Sequence, residues 1–122
     1  MSFELEELAA EVRRLSGLLD RALQVLREAS RDHAEYEHGY RKARGVAWAE
    51  TAGQGMVVPE REACVDSVTA DHRLQRDLAA GLEKAALEAV RARRQQLSAL
   101  QSLMAGWREE AAFVRTGPEG RA

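Results

Sequence analysis

The chain is short of everything that builds a thick core or a spanning segment. Only six of its 122 residues are aromatic, two each of Trp, Tyr and Phe. The single cysteine, Cys64, excludes an internal disulfide framework and fits a reducing compartment. Proline occurs twice, at Pro59 and Pro118, so long stretches run without a helix breaker. No apolar run reaches the 18 or so residues that a transmembrane helix needs. Neither sign of charge dominates: 18 Lys and Arg stand against 20 Asp and Glu, for a net charge of −2. No global positive field draws this chain to nucleic acid or membrane, so any such contact must come from a local patch. The first residues, Met-Ser-Phe-Glu-Leu-Glu-Glu, are acidic where a secretory signal is basic, and the expected location is cytoplasmic.

Alanine, with 22 copies, and the strong helix formers Leu, Arg, Gln and Glu fill the space left by these absences. From Leu5 the apolar positions step by three and four: Leu5, Leu8, Val12, Leu15, Leu19, Ala22, Leu26, Ala29, His33, Tyr36, Tyr40, Ala43 and Ala47. Such a seven-residue repeat predicts one amphipathic helix over about 3–51, with Ser2 as N-cap and Glu4, Glu6 and Glu7 near the positive end of its dipole. Its seam is aliphatic as far as Leu26 and more polar after it. The pair Gly53 and Gly55 marks a loop over 52–58. Pro59 fits the first turn of a second helix, 59–115, and 116–122 form a frayed tail rich in Gly and Pro. The second helix carries Leu74, Leu78, Leu82, Ala86, Val90, Leu97, Leu100, Met104, Trp107, Ala111 and Val114 as its apolar positions. From Leu97 to Val114 they step 3, 4, 3, 4, 3, a coiled-coil seam.

The predicted fold is therefore all-α: a single domain built as a long antiparallel hairpin of two coiled-coil-like helices. Its hairpin or oligomer core is assigned to Leu5, Leu8, Val12, Leu15, Leu19, Leu26, Leu78, Leu82, Leu97, Leu100, Met104 and Trp107. Both helices carry further apolar residues off these seams, among them Leu18, Leu23, Val25, Val65, Val68, Leu87 and Leu103. A second stripe needs a second partner, which predicts self-association.

Chemistry is harder to find. Glu35 and His38 form one Glu-x-x-His pair, a unit that di-iron bundles use twice; no second copy occurs, and no metal or other cofactor is expected. Cys64 has only Arg61 as a nearby cation, and no glycine-rich phosphate loop is present, so no catalytic residue is assigned. Two basic clusters remain: Arg41, Lys42 and Arg44 beside Tyr36, Tyr40 and Trp48, and Arg91, Arg93 and Arg94. Cations beside aromatic rings suit single-stranded nucleic acid, the charges taking phosphates and the rings stacking bases. More often such clusters are solvated helix faces laced with i,i+4 pairs.

The stretches Glu60-Arg61-Glu62-Ala63, Val65 to Leu74, Lys84 to Arg94 and Leu97 to Leu103 resemble a family of small helical bacteriophage proteins, itself similar to the UvsY-type recombination mediators. Lys42-Ala43-Arg44-Gly45 matches that family's single-stranded-DNA element letter for letter, and Trp107 with Phe113 stands where the family ends its long helix on aromatics. The likeness spans 36–115 and leaves out the N-terminal heptads. It implies a non-enzymatic oligomer that binds single-stranded DNA and loads a recombinase past single-strand-binding protein. The alternative is a coiled-coil structural or assembly protein with no nucleic-acid role.

Overall fold

A computed structural model describes residues 2–116. Three helices account for nearly all of it: α1 (Ser2–Thr51), α2 (Val58–Val68) and α3 (Ala70–Thr116), with no strand among the described residues. The expected tail lies outside the described residues apart from Thr116, which ends α3. No described helix is long and apolar enough to cross a membrane.

The loop after α1 turns on Gly53 and Gly55, whose φ values of 78° and 73° lie in the left-handed region that favours glycine. Arg61 then ties α2 to the end of α1. Its Nε donates to the Thr51 hydroxyl at 2.9 Å, its Nη2 donates to the Trp48 carbonyl, and its guanidinium lies 4.5 Å from the centre of the Trp48 ring. The Thr51 hydroxyl itself donates towards the Ala47 and Trp48 carbonyls, at 3.0 and 3.1 Å, so Arg61 and Thr51 together satisfy this helix C-terminus.

The single second helix expected over 59–115 is two helices, broken at Thr69. Thr69 has φ −99° and ψ 9°. Both its backbone N–H, at 3.0 Å, and its hydroxyl, at 2.7 Å, donate to the Val65 carbonyl. This back-bonding from a threonine bends helices. The bend is local, because Arg73 N still donates to the Thr69 carbonyl at 3.0 Å.

The chain divides into two compact units. The first comprises Met1–Gln24 and Glu88–Ala122. Its buried residues are Leu15 and Val90, at 4% and 1% exposure. Around them Leu5, Leu8, Val12 and Leu19 of α1 and Leu97, Leu100, Met104 and Trp107 of α3 are half-buried. The second unit is Val25–Leu87. It buries Ala47, Thr51, Val65, Thr69, Ala79 and Ala86, and leaves Leu26 half-buried.

In Val25–Leu87 the seam differs from the expected one. Leu74, Leu78 and Leu82 are 57%, 60% and 68% exposed, so they add nothing to the core of this chain. The positions turned inwards are Arg76, Ala79, Glu83 and Ala86. Helical geometry gives the reason. Leu74, Leu78, Leu82 and Ala86 are four apart, and each step of four rotates about 40° past a full turn. Measured from the middle of the inward row Arg76, Ala79, Glu83 and Ala86, the positions Leu82, Leu78 and Leu74 lie about 80°, 120° and 160° away, so all three are off the seam. On α1 the same correction applies to one ring: Tyr36 is 45% exposed and its neighbour Glu37 takes the half-buried place.

Candidate functional site

The residues assigned to nucleic acid are partly committed to other partners. Arg44 Nη1 donates to Asp66 Oδ1 at 2.6 Å, and that bond holds the guanidinium's pKa above its ordinary value. Arg41 Nε donates to Glu37 Oε1 at 2.9 Å, although its side chain stays 77% exposed. Lys42 is exposed. In the other unit Arg91 and Arg94 are exposed, while Arg93 is half-buried at a seam step and donates to Gln96 Oε1 at 3.2 Å.

Two of the three rings beside the first cluster, Tyr40 and Trp48, are occupied in the same way, whereas Tyr36 is exposed. The Arg76 guanidinium lies 4.4 Å from the centre of the Tyr40 ring, as Arg61 does over Trp48. A cation over an aromatic face satisfies the ring's negative quadrupole with a group of this chain. Those faces are no longer open platforms for a base.

Polar contacts also fill the interior of Val25–Leu87. His33 Nδ1 lies 3.1 Å from Glu83 Oε1, and the Ser30 hydroxyl and then His33 hold the Glu83 carboxyl below its ordinary range. Glu37 Oε2 lies 3.6 Å from Arg76 Nε. His33 thus pairs with Glu83 and Glu37 with two arginines, while Glu35 and His38, the Glu-x-x-His pair, are both exposed. Among the described residues no three His, Cys, Asp or Glu converge. Cys64 is a half-buried free thiol.

The exposed leucines have a different setting. Leu78 and Leu82 of α3 and Val25 and Tyr36 of α1 line a groove of about 650 Å³ together with the small residues Ala29, Ala79, Ala85 and Ala86. Glu28, Asp32 and Gln75 are its polar members. An open channel between helices, lined by alanines and large aliphatics, fits the ridge of another helix.

Sequence reasoning overlooked Val65, Thr69, Arg61, Arg76 and Glu83 as structural residues. A usable signal existed for the first two. Val65 and Thr69, four apart, extend the three-four stepping of Ala79, Glu83 and Ala86 back through Arg76. No protein-family model, curated protein or solved structure matches this chain.

Proposed function

We propose that this chain is a non-enzymatic helical assembly protein that self-associates through the leucine-walled groove of Val25–Leu87. The outward placement of Leu74, Leu78 and Leu82, each more than half exposed along one face, carries this reading. Helices of ordinary soluble monomers keep such a stripe covered. Pairings between helices support an antiparallel hairpin beneath it: going down α1, Arg44, Glu37 and His33 meet Asp66, Arg76 and Glu83 in rising order. Within the groove a helix of another copy would bury its own aliphatic stripe against Leu78, Leu82 and Val25.

Multi-angle light scattering tests the reading. The expected mass at micromolar concentration is a multiple of 13.5 kDa, and Leu78→Asp/Leu82→Asp lowers it while helical circular dichroism is kept. A well-folded wild-type monomer would overturn the proposal.

A second reading is the one implied by the family likeness, an accessory protein of recombination that binds single-stranded DNA and acts with a recombinase. The exposure of Arg41 and Lys42 on adjacent positions favours it. Binding would then be insensitive to sequence and weaken steeply with salt. Fluorescence anisotropy with labelled single-stranded DNA decides: loss of binding in Arg41→Ala/Lys42→Ala supports it, and no binding by wild type at low salt excludes it.

A further inference from the structure

Away from the leucine groove, one row on α1 is complementary in charge to itself after a two-fold rotation. Lys42, Val46 and Glu50 are spaced by four residues and are all exposed, Val46 by 49%. A row of this spacing drifts about 40° per step, so its three members stay within one helix face. Neither Lys42 nor Glu50 joins an ion pair among the described residues. Beside the row lies a groove of about 410 Å³, also lined by Gly39, Ala43 and Val68. Val68 is 63% exposed, and a Cβ placed on Gly39 would meet nothing within 4 Å. Small residues at one end and two exposed valines in the middle leave room for a second helix to come close.

We infer that this face binds the same face of a second copy, about a two-fold axis passing through Val46. An axis perpendicular to α1 sets Val46 against its counterpart and Lys42 against Glu50 of the other copy, twice. Lys42 and Glu50 each lie about 6 Å along the helix from that axis. Charges so near the axis stay within reach of each other at the common helix crossing angles. A parallel arrangement would instead set Lys42 on Lys42 and Glu50 on Glu50, two like-charge contacts. The charge order therefore selects the antiparallel dimer, with burial of Val46 and Val68 as the attraction and the ion pairs as the guide. This contact deepens the self-association reading, on which it rests, with a surface separate from the leucine groove. It also gives Lys42 a partner other than a phosphate.

Charge exchange in the full-length Leu78→Asp/Leu82→Asp chain tests it, because that background lacks the groove contact. Sedimentation velocity is expected to show a dimer. Lys42→Glu alone, or Glu50→Lys alone, weakens that dimer roughly tenfold or more, since two attractive pairs become two repulsive ones. An equimolar mixture of the two variants restores the dimer, because every pair across the axis is again opposite in sign. Val46→Asp breaks it, and no mixture rescues that change. The proposal is overturned if both single reversals leave the mass unchanged, or if the mixture stays dissociated. A Leu78→Asp/Leu82→Asp chain that is monomeric even at sub-millimolar concentration also overturns it, with the groove reading left standing. A monomeric wild type overturns both.

Discussion

In the unit formed by Met1–Gln24 and Glu88–Ala122, most large aliphatic side chains turn to the seam, although Leu103 and Val114 are more than half exposed. In Val25–Leu87 the leucines Leu74, Leu78 and Leu82 turn away from it. The first buries Leu15 and Val90 and half-buries Leu97 and Leu100. The second buries alanines, two threonines and one valine, and places His33, Glu83, Glu37 and Arg76 between its helices, while Leu74, Leu78 and Leu82 stay exposed. Apolar burial stabilises by about 25 cal/mol per Å², whereas partly exposed ion pairs contribute about 0–1 kcal/mol each. The first unit therefore draws its stability from within the chain. The second fixes helix pairing with polar contacts and leaves its aliphatic surface exposed.

The sharpest way to break this contrast is to truncate one leucine from each unit. Leu15→Ala removes a side chain that is 4% exposed and is expected to cost about 2–5 kcal/mol. Leu78→Ala, at a position 60% exposed, is expected to change stability by no more than about 0.5 kcal/mol in the dissociated chain. Urea denaturation of the monomeric chain at low protein concentration reads both. Equal losses at the two positions would mean that the leucines of Val25–Leu87 also serve the interior.

Arg61 comes next, and it sharpens the view of Val25–Leu87 as a unit held by polar contacts. Its two hydrogen bonds and its stacking on Trp48 join α1 to α2. Arg61→Ala is expected to cost about 1–3 kcal/mol, because it removes two charge-assisted hydrogen bonds, one to the Trp48 carbonyl and one to the Thr51 hydroxyl, at a part-buried helix end. Arg61→Lys should recover less than half, since an ammonium lacks the flat fork that bridges two acceptors while lying on a ring. Thermal unfolding of the three proteins checks the order. Full recovery by lysine would reduce the role of Arg61 to its charge.

How much of this was legible beforehand follows the same division. The heptads of α1 and the stepping from Leu97 to Trp107 alternate by three and four, and there the residues the pattern names are buried or half-buried, with Tyr36 the exception. The glycine turn and the proline start of α2 were equally plain, because each reflects a backbone requirement local to a few residues. Leu74, Leu78 and Leu82 misled because a run of fours resembles a seam over one turn and leaves it over three. Thr69 was hidden for another reason. A threonine tolerates a helix interior, and only its hydrogen bonds to Val65 reveal the bend. The pairings of Arg44 with Asp66 and Arg76 with Glu37 join residues far apart in the sequence, and charge type alone does not choose partners. As a result Arg41, Lys42 and Arg44 read as one patch, although the fold separates their roles.

The smallest effect expected is one of pH, and it distinguishes a contact between helices from a contact within one. Glu83 is held below its ordinary pKa of 4.5, chiefly by the Ser30 hydroxyl and then by His33, both on α1. Glu11 is also held low, by Arg14 three residues along the same helix. For each, the folded carboxyl releases its proton more readily than the unfolded one. The stabilisation is therefore complete above about pH 4.5 and is lost as pH falls through the lower folded value. The two differ in the reference state. A residual α1 helix in the denatured chain keeps Glu11 beside Arg14, whereas nothing local keeps Glu83 beside Ser30. The Glu83→Gln variant should thus flatten the fall of the urea midpoint between about pH 5 and pH 3 more than Glu11→Gln does. Ser30→Ala should flatten it as well, and by more than His33→Ala. A Glu11→Gln effect as large as that of Glu83→Gln would show that the pairing across helices adds nothing a single helix lacks.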